Sequence, residues 1–402
     1  MNWDRLFRHG RQKGEKPAIG LVVTGFDKGG LEQVVYNLYL GYRRHGYDTY
    51  VLCEKPELAG WFAEQLEDLR HFRIFSANEA DFFGFCLKKN IRQLHYHYNT
   101  FMMERAASLG IRCTYTIHNV YTWFNDAEMA ERRECLEACH GIAAVSSFVK
   151  DYFCTRSGMP ESRVEVIPNG VDFAELDITE PPPGLATRAA LGLAEDDIVI
   201  AQVSSINAVK HQIGMVGVME QLTKQNPRFK LLLAGNVIEP DYNEALLAVI
   251  EKSPAKSSII FVPYFSHRHM GEFLRRHVDI FTLPTLQEGC SNAVLEAMYC
   301  QVPMVLTDVG NARDVRDVAA CIVTPTAYGD VLKLRPQTTP EYARQKDAAN
   351  QGALVAAFMQ MAENLAGYRA QAGALGAEVL AGLETEAMVQ RYLAMMFGPE
   401  AR

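Results

Sequence analysis

No stretch of this chain approaches the ~18–20 consecutive apolar residues that a membrane span requires, so no segment reads as a transmembrane helix. The first twenty residues lack the apolar centre of a signal peptide, and the expectation is a cytoplasmic protein. An excess of basic charge is missing too. Lys and Arg number 40 against 48 Asp and Glu, for a formal net charge of -8, which argues against a nucleic-acid partner. No 20–50-residue repeat is visible. No Asp-x-Asp stands at a strand end in a setting suited to a divalent ion, so neither metal nor cofactor is expected. The nine cysteines are odd in number and scattered, which reads as reduced thiols packed as small hydrophobes. Cys135, Cys139 and His140 are the one cluster with metal-ligand chemistry. The two cysteines, four apart in a helical stretch, are expected to share a face. No second pair lies nearby at zinc-site spacing, so metal binding is not expected there.

What is present is ample core material: 402 residues, 48% of them apolar, enough for two large domains. Short runs rich in Val, Ile and Leu, without polar alternation, recur between helical stretches. The first series is 18–24, 49–53, 93–97, 113–118, 141–146 and 164–167. The second is 198–204, 230–234, 259–262, 279–283 and 303–307. Such runs suit parallel strands covered on both faces, so the fold class is α/β with two Rossmann-like, doubly wound parallel sheets. Thr179–Gly184 contains three consecutive prolines, a stiff connector. The expected division is therefore 1–180, 185–375, and a final segment 376–402. In that segment Met388, Tyr392, Leu393 and Met396 recur at helical spacing and must dock on something.

Ligands of open parallel sheets bind beyond the carboxyl ends of strands, so the loops after strands carry the candidates. Gly29 and Gly30 follow the first run. They leave backbone bare for an anion, or equally serve a tight turn. The loop is neither GxGxxG nor GxxxxGK[ST], which removes the dinucleotide and P-loop readings. His118 ends another strand, and Lys210 follows the first strand of the second series. Each is more often structural when taken alone. The richest segment is Glu288-Gly-Cys-Ser-Asn-Ala-Val-Leu-Glu296. Gly289, Ser291 and Asn292 are start signals for a helix over 293–300, whose amino end is a ready anion site. Glu288 and Glu296 would repel a phosphate on contact, and make better sense accepting from sugar hydroxyls.

This segment resembles the E-x7-E element of family-four glycosyltransferases. Cys300-Gln-Val-Pro-Met-Val305 and Thr307-Asp-Val-Gly310 resemble its continuation, Val166-Ile-Pro-Asn-Gly-Val-Asp172 the close of that family's amino-terminal domain, and Gly29-Gly-Leu-Glu32 its glycine loop. The resemblance runs from about Ala18 to the end. It implies the GT-B fold, two Rossmann-like domains facing across a cleft with the last helix returning to the first domain. It also implies transfer of a sugar, with retention and without metal, from a nucleotide-diphosphate donor (a UDP- or GDP-sugar) to a glycan or lipid-linked acceptor. Glu296 would bind ribose, Glu288 the transferred sugar, and the amides of Ser291, Asn292, Ala293 and Val294 the diphosphate, with Lys210 as counter-charge. Gly29 and Gly30 would cover the phosphates, and His118 would lie beside the anomeric centre. Asn236, Pro263 and Tyr264 would shape donor specificity, and Tyr121–Phe124 acceptor specificity.

Two departures stand out. Where the family commonly has an Arg, five residues before the Lys, this chain has Ser205, and His211, Arg268 or Lys28 are candidates to replace it. Gln301 stands where Gly is usual, which should matter only to the local backbone. Finally, Arg5, Arg8, Arg11, Lys13 and Lys16, with Trp3, Leu6 and Phe7, form a basic segment that would suit peripheral contact with anionic lipid at the inner face of a membrane, or else a disordered terminus.

Overall fold

The computed structural model describes residues 7, 16–27, 29–66, 69–75, 78–318 and 320–398. Most of the basic amino-terminal segment, and Lys28, lie outside them. The chain divides into two compact units, one of 1–120, 124–170 and 383–402, the other of 121–123 and 171–382. The proline-rich connector at Thr179–Gly184 falls inside the second unit, because Val171–Glu180 already packs there.

In the first unit, β1 (Ala18–Val23), β2 (Thr49–Cys53), β3 (Phe72–Ile74), β4 (Ile91–His97), β5 (Arg112–Ile117), β6 (Gly141–Ala144) and β7 (Val164–Val166) form one parallel sheet. Its order is β3-β2-β1-β4-β5-β6-β7, so the order reverses between β1 and β4. Every residue of β1 and β2 is buried, the reason these strands read as uninterrupted apolar runs. Sequence reasoning overlooked β3, a three-residue edge strand with exposed Arg73 and Ile74.

The helix Thr385–Phe397 closes this unit rather than the second. Met388, Val389, Tyr392, Leu393 and Met396 are buried in the same core as β1 and the helix Gly30–Arg44. Contact is close enough to demand glycine: a Cβ on Gly41 would sit 2.3 Å from Val389 Cγ2, and one on Gly170 would sit 2.4 Å from the Cα of Thr385. At roughly 1.5–3 kcal/mol per fully buried apolar side chain, these residues contribute about 10 kcal/mol of gross burial, comparable with the whole net stability of a domain.

The second unit holds β8 (Ile198–Val203), β9 (Phe229–Ala234), β10 (Ile259–Phe261), β11 (Ile280–Leu283), β12 (Met304–Thr307) and β13 (Cys321–Thr324). The parallel order is β10-β9-β8-β11-β12-β13, with the reversal between β8 and β11. The edge strand β13 also escaped sequence reasoning, since three of its four residues are only half-buried. The helices Gln212–Gln225 and Gln351–Glu363 pack on this sheet around Val216, Met219, Leu354 and Phe358. Among the described residues, no helix is long and apolar enough to cross a membrane.

Two expectations change in detail. The helix expected over 293–300 runs Asn292–Tyr299, because Ser291 is its cap and accepts from the Val294 amide at 3.4 Å. The helix carrying Cys135 ends at Glu137, so Cys139 lies beyond it and the two share no helical face. All nine cysteines are free thiols, and no group of three metal-ligating side chains occurs among the described residues.

Candidate functional site

In the second unit the loops after β8 and β11 emerge side by side, because these strands flank the point where the sheet order reverses. Backbone and side chain tie them together. The Leu286 amide donates to the Val209 carbonyl at 2.8 Å, and the Thr285 hydroxyl donates to the same carbonyl at 2.9 Å. This pairing brings Lys210 and Glu288, far apart in sequence, into a hydrogen-bonded ion pair between Nζ and Oε2. Both side chains are less than one-fifth exposed, so the charges are partly desolvated yet reachable. Glu288 Oε1 accepts from the Gly289 amide at 3.1 Å, which fixes the carboxylate plane.

Gly310 is what permits this placement. It adopts φ +58, and a Cβ there would lie 2.8 Å from Glu288 Cβ. Gly310→Ala is therefore expected to displace Glu288, lowering kcat/KM by about fivefold and stability by roughly 1–2 kcal/mol. Gly352→Ala, where nothing lies within 4 Å, is the control and should leave kinetics unchanged. Equal kinetics for both variants would show that the Gly310 contact is unimportant.

Beside the pair, the helix Asn292–Tyr299 presents its amino end, with Ser291 further fixed by Asn311, whose Oδ1 accepts from the Ser291 amide at 3.0 Å. Of the expected anion-binding amides, Ser291 is engaged by Asn311 and Val294 by the cap. Glu296, in this helix, is 6% exposed, and its Oε1 accepts from His267 Nε2 at 3.0 Å. Asn236, Pro263 and Tyr264 follow β9 and β10 on the same carboxyl edge, all exposed, with Tyr264 at 79%. Gly235 there has φ +150, and its Cβ would meet the Ser204 carbonyl at 2.0 Å, so glycine lets the β8 and β9 loops touch.

Ser205 has no cation in place of the usual Arg among the candidates that the structure describes. Its hydroxyl accepts from Asn207 Nδ2 at 2.9 Å. His211 is buried, its pKa lowered by desolvation, and its Nε2 meets the Gln345 carbonyl at 3.1 Å, so it stays neutral. Arg268 is committed to Glu180 at 3.1 Å. Gln301 sits at φ 60, which explains the glycine usual at that position and keeps the matter local.

In the first unit, Gly29 and Gly30 stand at the amino end of the helix Gly30–Arg44, and neither takes a left-handed φ. The dihedrals do not require glycine; a Cβ on Gly29 would stand 2.1 Å from Glu32 Oε2, whereas one on Gly30 would meet nothing within 4 Å. His118 follows β5 and is 9% exposed. Burial pushes its pKa down to about 3, so it is neutral at physiological pH. Its partner is one that sequence reasoning missed: His97 Nδ1 lies 2.8 Å from His118 Nε2. His97 Nε2 is buried without a hydrogen-bond partner. An orphaned acceptor costs less than an orphaned N–H, which puts the His97 proton on Nδ1 and hence the His118 proton on its own Nδ1. His95 packs against His97 with 4.1 Å between ring centres and the planes tilted by 42°, and is bonded to Tyr42 at 3.1 Å and to Thr116 at 2.8 Å. Alternating His95 and His97 in a strand buried at all but one position was the signal available.

Comparison with known proteins bears on this arrangement. Residues 28–175 match the family described as Glycosyltransferase Family 4, and residues 185–324 match Glycosyl transferases group 1. EpsF of Bacillus subtilis (strain 168), designated a glycosyltransferase, is 24% identical over 338 residues, 79% of this chain and 85% of that protein. Alpha-maltose-1-phosphate synthase of Mycolicibacterium smegmatis is 26% identical over 186 residues, 46% of this chain and 47% of the relative. Among solved structures, Anabaena HepE in complex with UDP and glucose superposes with a TM-score of 0.72 at 15% identity, covering 94% of this chain and 98% of that one. Sucrose-phosphate synthase from Thermosynechococcus elongatus gives 0.69 at 16% identity, covering 94% and 97%.

Proposed function

Because the chain belongs to the group 1 glycosyltransferases and carries the family-four amino-terminal domain, we propose that it transfers a sugar, with retention and without metal, from a nucleotide-diphosphate donor to a glycan or lipid-linked acceptor. The observation that carries the reading is the Lys210–Glu288 pair at the β8/β11 reversal, beside the amino end of Asn292–Tyr299. Transfer requires stabilisation of a departing diphosphate. A cation and a helix amino terminus supply that from groups already at the site, once Lys210 exchanges Glu288 for the phosphates. Glu288, displaced from Lys210 by the incoming phosphates, would accept from hydroxyls of the transferred sugar, and Glu296 from the ribose. The neutral His118 would offer its Nδ1–H to the sugar. With retention, the leaving phosphate would itself receive the proton of the acceptor hydroxyl on the same face. UDP and UDP-glucose are bound by HepE, which makes UDP-sugars the first donors to try.

The location we propose is cytoplasmic, with the basic segment before Lys16 touching anionic lipid if the acceptor is lipid-linked. The test is a thermal-shift screen of UDP-, GDP- and ADP-sugars, followed by release of nucleoside diphosphate with and without candidate acceptors. Release only with acceptor, persisting in EDTA, and a product of unchanged anomeric configuration by NMR are expected. Loss of activity in EDTA contradicts the metal-free part, and an inverted product contradicts retention. A second reading, a nucleotide-sugar-binding relative without transfer activity, draws on Ser205 and the neutral His211. Donor binding with no turnover on any acceptor would favour it.

A further inference from the structure

Glu296 is not held by its own helix. Its Oε1 lies 3.0 Å from His267 Nε2, and His267 Nδ1 lies 3.3 Å from Glu175 Oε1. His267 sits in the turn His267–His269, and Glu175 in the short helix Phe173–Leu176. That short helix is itself pinned. Asp172 caps the Glu175 amide at 3.3 Å, the Leu176 carbonyl accepts from Arg275 at 2.8 Å, and Phe173 stacks on Tyr299 at 3.9 Å between ring centres. Gly271 passes so near that a Cβ would stand 1.9 Å from the Leu176 carbonyl oxygen. Glu175 is therefore a fixed anchor, His267 a bridge, and Glu296 the group held at the far end.

We propose that His267 is a positioning residue, which clamps Oε1 of Glu296 so that Oε2 is left to accept from the ribose hydroxyls of the donor. The proposal rests on the donor reading above. Both imidazole nitrogens face carboxylates, which suits the doubly protonated ring. The hydrogen bonds to Glu175 and Glu296 raise its pKa to about 10, so the bridge is charged throughout the neutral range. The neighbouring charges are committed elsewhere: Arg268 to Glu180, Arg275 to Asp177, and Arg276 to Glu272. His269 turns its Nδ1 to the Glu180 carbonyl at 3.0 Å.

The experiment is calorimetry of the full chain with UDP, GDP and ADP, then with the 2′,3′-dideoxy form of whichever binds. His267→Phe is expected to weaken the ribonucleotide roughly tenfold, the scale of one charge-assisted hydrogen bond, and to leave the dideoxy form unchanged. His267→Arg, which keeps charge and donors, should recover part of the affinity. In turnover, donor KM rises while kcat at saturation stays within about twofold. Equal weakening of both nucleotides, or no weakening of either, overturns the positioning role while the donor reading stands. If the wild-type chain binds none of the three nucleotides, the donor reading falls and takes the clamp with it.

Discussion

Lys210→Ala is expected to lower turnover by about tenfold to a hundredfold, from roughly 1.5–3 kcal/mol of lost leaving-group stabilisation. Two effects add in the same direction. The diphosphate loses its counter-charge, and Glu288 is left without its partner in a site where less than one-fifth of either side chain meets solvent. An unpaired, partly desolvated carboxylate then faces an incoming polyanion. Glu288→Gln in the Lys210→Ala background should therefore recover donor affinity, though not turnover. Lys210→Arg keeps the charge and should fall between wild type and Ala. Steady-state kinetics with saturating acceptor give all these numbers, and an unchanged kcat for Lys210→Ala would remove this residue from the chemistry.

Acid should unfold the first unit early. His95, His97 and His118 are buried and touch one another, and desolvation lowers the pKa of each from 6.5, that of His118 to about 3. The folded state holds these rings neutral, whereas the unfolded chain protonates them below about pH 6.5. Stability is thus fully present above that pH and lost as pH falls. Once all three are charged in the unfolded chain, the slope is about 4 kcal/mol per pH unit, at ~1.4 for each. Two pH units exhaust much of the 5–15 kcal/mol that a domain typically has. His211 and His277 of the second unit, lowered mainly by burial, act in the same sense, and His267 in the opposite one. Urea titrations at pH 7.5, 6 and 5 should show the decline. Replacing His95 with Gln should make it shallower by about a third, although it also disturbs Thr116. Flat stability from pH 7.5 to 5 would refute the neutral-cluster assignment.

How legible all this was depends on where physical constraint leaves a mark in sequence. Central strands did, because burial on both faces admits little but Val, Ile, Leu and small residues. Edge strands did not: Phe72–Ile74 and Cys321–Thr324 have strand-forming residues, but they are only three and four residues long and incompletely covered, too short to stand out as runs. The loop after β11 was legible through glycine, a cap and two carboxylates at fixed spacing. The contacts that complete the site were not. Nothing local says that Lys210 meets Glu288, that Gly310 clears space for it, or that His267 bridges Glu175 to Glu296. These depend on which strands become neighbours, a property of sheet order. Cys139 failed for the opposite reason: helical spacing was extended two residues past the real helix end, at Glu137.

The docking of Thr385–Phe397 has a consequence for how the protein is made. Ribosomes deliver the strands of the first unit early, yet the surface around Val35, Leu38 and Tyr42 is covered by residues synthesised only after the second unit. The nascent chain must carry that sheet uncapped while more than two hundred residues of the second unit are translated, unlike proteins whose domains finish in the order they emerge. Chaperone demand during translation, and sensitivity to premature stops anywhere upstream of the final turn of that helix, are built into the connectivity.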